Sequence, residues 1–222
     1  MFYALNQSDF SLEGWNTTFT LRENTCGTNK ILGGHDLFGE DQKAFKSFGP
    51  LLIHDYVNVT FKAYFVDSWD GASKGDYLTV YIDAGLVLKV PCKYGENSTT
   101  DVCGQDDYPD YITTITISNI PHTNPVMTLI FNNTLDDDGD DESFGVSDIV
   151  ISVNLVCHLW CETCFGNNVN ECSSCKNGYF LSGTTCGTSC PTDQYADTTT
   201  RTCIGSNLFF FNFEIISLLR LS

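Results

Sequence analysis

The chain has 222 residues, enough for one sizeable β domain and a small second module, and carries 28 acidic against 11 basic residues for a formal net charge of -17. Nucleic acid and anionic membrane surfaces both need a basic footprint, so this charge balance excludes them and favours cations as charged partners, although acidity also keeps a glycoprotein soluble. Eleven cysteines without nucleophile context point to an oxidising compartment, and so to a secreted or cell-surface protein.

Met1 to Phe10 has neither a basic segment nor a continuous apolar core, so no signal peptide is read there and the chain is expected to be mature or partial. N-x-S/T sequons at Asn6, Asn16, Asn58, Asn97 and Asn132 predict N-linked glycans. Between about residues 10 and 155 the apolar side chains fall on a period of two, broken by Gly, Asp and Pro, which predicts short antiparallel strands. They are Thr18 to Leu21, Ala44 to Phe48, Val57 to Val66, Tyr77 to Asp83, Leu86 to Val90, Tyr111 to Ser118, Val126 to Phe131 and Ile149 to Leu155. In the third, Val57, Val59, Phe61, Ala63 and Phe65 face inward while Asn58, Thr60, Lys62 and Tyr64 face out, which sets the Asn58 sequon on the solvent side. About eight such strands predict an all-β fold, a jelly-roll-like β-sandwich, whose strand order periodicity does not fix.

Several short elements recur in order: Gly14-Trp15, Cys26-Gly27, Ile31 to Gly34, Phe38-Gly39, Tyr64 to Gly71 (YFVDSWDG), Val80 to Gly85, Cys103-Gly104 and Asp141 to Ile149. Together they resemble the jelly-roll domain repeated in large cysteine-rich surface proteins of ciliated protists. The resemblance covers about residues 10 to 157 and implies a non-catalytic extracellular sandwich.

Two acidic segments are candidate calcium sites. Asp67, Asp70 and Asp76 lie at a strand exit, and residues 136–142 (DDDGDDE) hold six carboxylates. Calcium takes six to eight oxygens, which flexible acidic loops supply; a solvated loop screened by salt is the equal alternative. Asp67, Asp70, Asp141 and Glu142 are the expected ligands because they fall within the matching elements, with Asp136 to Asp138 read as loop filler. Trp69 is expected to lid the core rather than to stack on a sugar.

From Cys157 the alternation stops and the run Cys157-x3-Cys161-x2-Cys164-x7-Cys172-x2-Cys175-x10-Cys186-x3-Cys190-x12-Cys203 begins. It resembles a furin-like, growth-factor-receptor cysteine-rich repeat over about residues 157 to 203. A four-thiolate zinc site on the two CxxC pairs is the rival reading, disfavoured by compartment and by the short spacer between the pairs. The resemblance implies the pairs Cys161 with Cys172, Cys164 with Cys175 and Cys190 with Cys203. Cys92 with Cys103 would close a β-β loop, leaving Cys26 for Cys157 and Cys186 unpaired, among many connectivities the sequence allows. No triad, phosphate loop or hydrolase His pair is seen, and His35, His54, His122 and His158 are scattered.

The expected organisation is a sandwich over 1–157, a furin-like module over 158–205 and an apolar tail over 206–222. That tail is artefactual or strand-donating. Its apolar part, Leu208 to Leu221, carries Asn212, Glu214 and Arg220 and is shorter than the roughly 20 residues a spanning helix needs. The expected function is a non-enzymatic structural or adhesive building block of a surface coat or filament. It would partner copies of itself or other surface glycoproteins, by strand addition from Phe10 to Phe19 or Phe209 to Ile215. The alternative is a calcium-dependent ectodomain that binds glycans or proteins.

Overall fold

The computed structural model describes residues 2–6, 11–18, 20–21, 24–97 and 99–205, and the chain divides into two compact units, Met1–Val156 and Cys157–Ser222. The apolar tail, and with it the C-terminal strand-donating stretch, lies outside the described residues.

Among the described residues, eleven strands build the first unit: β1 (Phe2–Asn6), β2 (Asn16–Thr17), β3 (Asn24–Cys26), β4 (Asn29–Gly33), β5 (Ala44–Phe48), β6 (His54–Asp67), β7 (Tyr77–Ile82), β8 (Gly85–Pro91), β9 (Tyr111–Pro121), β10 (Met127–Asn133) and β11 (Glu142–Leu155). One sheet runs β3-β4-β11-β6-β9, with β1 also paired to β11; the other runs β2-β5-β10-β7-β8. All their pairings are antiparallel. The result is a jelly-roll-like β-sandwich.

The period of two explains the core. Val57, Val59, Phe61, Ala63 and Phe65 of β6 are all buried, as are Leu78 and Val80 of β7 and Met127, Leu129 and Phe131 of β10. The rings of Phe61 and Phe131 meet edge-on with centroids 4.9 Å apart, joining the two sheets. Each Val, Leu, Met or Phe among them contributes about 1.5 to 3 kcal/mol through burial. In β11 the inward phase changes from Phe144 and Val146 to Ile149, Ile151 and Val153. A register shift between Ser147 and Val150 produces the change, with Asp148 at φ 50°, because a bulge inserts one residue and flips the alternation.

Three strand expectations shift. The strand expected at Thr18 to Leu21 is the short β2 at Asn16–Thr17, and it pairs with β5 of its own sheet. The last strand starts at Glu142, seven residues before Ile149. Tyr64 points outward from β6 yet is fully buried, because Cys26, Ile31 and Val66 pack with it in a second small cluster.

The second unit contains β12 (Cys161–Cys164) paired with β13 (Cys172–Cys175), and a four-stranded sheet of β14 (Phe180–Ser182), β15 (Thr185–Gly187), β16 (Gln194–Asp197) and β17 (Thr202–Gly205) in the order β15-β14-β17-β16. Its bridges are Cys157–Cys164, Cys161–Cys172, Cys175–Cys186 and Cys190–Cys203. Two of these are the pairs the furin-like repeat implies. Cys164 instead takes Cys157, which frees Cys175 for Cys186, so Cys186 is not unpaired. All four thiols of the CxxC pairs are thereby oxidised, which removes the zinc reading. In the sandwich Cys26 pairs with Cys103, and Cys92, expected in a bridge, is free and buried. The reason is direction: Cys92 belongs to the core between the sheets, whereas Cys103 packs with the cluster on the outer face of β6.

Candidate metal centre

Two acidic loops meet at one end of the sandwich. The first follows β6. Trp69, 1% exposed, packs edge-on against Phe65 and donates its indole N–H to the Ser143 carbonyl at 2.7 Å, so it is a lid on the core and offers no sugar platform. Gly71, at φ 83°, then turns the chain. Its carbonyl accepts the N–H groups of Lys74, Gly75 and Asp76, and Asp76 Oδ2 accepts Asp70 N–H at 2.8 Å. Segment 70–76 thus closes on itself, with both aspartates at its neck.

The second loop, residues 136–142, precedes β11. Asp138 C=O accepts the N–H groups of Asp141 and Glu142 at 3.0 Å. Its backbone is fastened from outside by Asp36 N–H to Gly139 C=O at 2.7 Å, Glu40 N–H to Asp137 C=O at 3.0 Å and Ser68 N–H to Asp141 C=O at 3.1 Å. Gly39 lies so close to Gly139 that a Cβ there would overlap the Gly139 backbone.

These loops gather five carboxylates in two trios. One oxygen each from Asp70, Asp76 and Glu142 lie within 4.8 Å of one another, and so do one each from Asp136, Asp137 and Glu142. Asp76 is 0% and Glu142 1% exposed, while Asp136 and Asp137 are open to solvent. Asp76 Oδ1 and Glu142 Oε2 are buried and have no hydrogen-bond partner among the described residues. An unpartnered buried carboxylate oxygen costs more than the roughly 1 to 3 kcal/mol of a neutral group. Burial, then the charges of Asp76, Asp137, Asp70 and Asp136, push the Glu142 carboxyl up to about 8. Asp76 is likewise raised, first by burial and then by Asp136 and Asp70, against the lowering N–H of Asp70. Among the described residues none of the five is in an ion pair with a lysine or arginine. A hard dication bound by oxygen satisfies this donor set; a softer metal would want nitrogen or sulfur.

Of the expected ligands, Asp70 and Glu142 stand in this centre, and Asp67 and Asp141 do not. Asp67 Oδ2 meets His35 Nδ1 at 2.9 Å and its Oδ1 accepts Gln105 N–H at 2.6 Å, while burial, its largest influence, raises its pKa. Asp141 Oδ1 accepts from Gln105 Nε2 at 3.2 Å. Both therefore tie neighbouring loops together. Asp136 and Asp137, taken as filler, are in the centre, and Asp76 is its most buried member. Segment spacing carried the signal for Asp76, since Gly71 and Gly75 frame it; nothing in the run DDDGDDE singles out its first two residues.

The histidines are less scattered than the sequence suggests. His54 Nε2 meets His122 Nδ1 at 2.8 Å with their rings stacked, and His122 Nε2 lies 3.2 Å from Asp83, tying the start of β6 to the end of β9. Of the sequon residues, Asn16 and Asn97 are exposed and Asn132 half-buried. Asn58 is also half-buried and already engaged, its Oδ1 accepting Asn119 N–H at 2.8 Å and its Nδ2 lying 3.4 Å from Ser152 Oγ. The side chain of Asn6 lies outside the described residues.

No protein-family model matches the chain. A stretch of 50 residues, 22% of the chain, is 42% identical to 5% of proprotein convertase subtilisin/kexin type 6 from Rattus norvegicus. A stretch of 58 residues, 25% of the chain, is 36% identical to 8% of variant-specific surface protein VSP4A1 from Giardia intestinalis. The chain thus spans under a tenth of the length of these curated relatives. Among solved structures, a carbohydrate-binding module in complex with calcium and xylotriose is similar at TM-score 0.36 and 10% identity, over 67% of this chain and 97% of that one. A carbohydrate-binding module of a multidomain xylanase from the hindgut metagenome of Trinervitermes trinervoides gives TM-score 0.39 and 9% identity, over 71% and 100%. Likeness at this level assigns no ligand.

Proposed function

We propose that this chain is a calcium-dependent, non-catalytic binding domain of an extracellular or cell-surface protein, in which the ion joins the loops at residues 70–76 and 136–142. The observation that carries this reading is the pair of buried, unpartnered oxygens, Asp76 Oδ1 and Glu142 Oε2, on two carboxylates that cluster with those of Asp70, Asp136 and Asp137. Five disulfides support the location. Asp70 also lines an open cleft with Ser73, Lys93, Glu96 and Asn97, where a ligand would meet the loop that the ion orders. The ligand class that fits an open cleft of mixed polar and apolar lining beside an ion is a glycan or an exposed protein loop.

The structural reading, a coat or filament unit joined by strand addition, has less behind it. Residues Asn16–Thr17 of the N-terminal donor stretch already form an edge strand of their own sheet.

Thermal unfolding of the full chain in millimolar calcium and in excess chelator tests the proposal. At a hundredfold excess over Kd, calcium stabilises by about 2.7 kcal/mol, which raises the midpoint by about 5 to 10 °C for a protein of this size. An unchanged midpoint overturns it. A glycan array probed with and without calcium then separates sugar from protein ligands.

A further inference from the structure

The geometry points to two calcium ions in this centre, bridged by the Glu142 carboxylate. This rests on the calcium reading above and adds its stoichiometry and the division of labour among its ligands.

Calcium–oxygen bonds are about 2.4 Å long, so two ligand oxygens on one ion stand at most about 5 Å apart. Asp70, Asp76 and Glu142 satisfy that limit together, and Asp136, Asp137 and Glu142 satisfy it together, but the two trios do not merge into one set of five. One coordination sphere therefore does not enclose all the carboxylates as they stand. Two spheres do, and they share only Glu142.

Charge leads to the same count. With all five carboxylates ionised as calcium ligands, one dication leaves three uncompensated negative charges in a site where two of the five side chains are fully buried. Around two dications they leave one. Excess charge of that size at low dielectric is costly, and no lysine or arginine among the described residues pairs with any of the five. The burial of Glu142 fits the bridging position: 1% exposed and shared by both trios, it gains an answer to its own desolvation from an oxygen toward each ion.

The two sites differ in kind. Asp70 and Asp76 belong to a closed loop whose neck is already hydrogen-bonded, so the ion there is held by a preformed cage. Asp136 and Asp137 are exposed, so the second ion meets solvent and exchanges faster. Stepwise binding follows, the inner site filling at lower calcium.

Calcium content and titration of the full chain, by native mass spectrometry and by calorimetry with calcium chloride, test this. The wild-type chain is expected to take up two ions in two steps. The double variant Asp136→Asn, Asp137→Asn is expected to retain one ion with the tighter step intact, because both positions are on the surface and leave the core untouched. Asp70→Asn is expected to lose the tighter step, and Glu142→Gln both; near-UV circular dichroism of each variant reports whether the sandwich is intact. If Glu142→Gln does not fold, the surface double variant still decides the matter. One ion on the wild-type chain overturns the bridged pair while leaving the calcium reading standing, and no ion overturns both. Complete loss of calcium from a folded Asp136→Asn, Asp137→Asn variant also overturns the division into two sites.

Discussion

Cys92 shows how much depends on where one side chain points. It sits 4% exposed in the core between the sheets, where burial, followed by the nearby charge of Glu96, pushes its thiol up to about 12. The thiolate is the reactive form, so native protein is expected to leave a thiol reagent unreacted from pH 7 to 9.5. Denatured, unreduced protein should titrate one thiol per chain, and a second would mean one of the bridges is wrong. Because the folded pKa lies above the ordinary value near 9, stability from this group is complete below pH 9 and falls as pH rises towards 12. Spacing made Cys92 and Cys103 look like partners, since ten residues easily close a loop. Sequence spacing carries no information on which face of a sheet a residue outside a regular strand will take, and that decided the pairing. The carboxylates repeat the lesson: Asp67 looks like a ligand because it falls within a matching element, while in the fold a histidine and a backbone amide hold it.

At the scale of elements, period two made β5 to β10 legible to within three residues at either end, because side chains on one face pack toward the opposite sheet. The hairpin of β3 and β4 was not legible. Its strands are short, and Ile31 is buried on the outer face of the sheet rather than between the sheets. Here the Cys26–Cys103 bridge holds the hairpin over Tyr64 and Val66, spanning 77 residues of sequence. The neighbouring Gly104, at φ 94°, leaves the space that the Asp67 carboxylate occupies, so the bridge and the Asp67 network depend on each other. Closing a loop of that length restricts the unfolded chain by about 4 to 5 kcal/mol. The double variant Cys26→Ala, Cys103→Ala is therefore expected to lose most of that in urea unfolding followed in calcium. A loss below about 1 kcal/mol would show that the hairpin stands on packing alone.

The two units of the whole molecule are stabilised by different means. The sandwich has an apolar core drawn from both sheets. Among the described residues of the second unit, the buried apolar side chains are Cys161, Cys164, Cys172, Cys175 and Cys186, every one a half-cystine. With no other buried apolar side chain among the described residues, this unit rests on its four bridges, whose sequence separations run from 7 to 13 and which contribute about 2 to 3 kcal/mol each. Mild reduction should thus unfold the second unit and spare the first, whose one bridge includes the fully buried Cys26. Trypsin provides the readout, because Lys176 and Arg201 lie in the second unit. In calcium, cleavage at both is expected only after reductant is added, while a fragment containing the sandwich survives. In chelator the same reduced protein is expected to lose the sandwich as well, since the loops at residues 70–76 and 136–142 then carry their charges uncompensated. Survival of the sandwich without calcium would show that the acidic loops do not hold it together. Resistance of the second unit to trypsin after reduction would reveal a core there other than cystine.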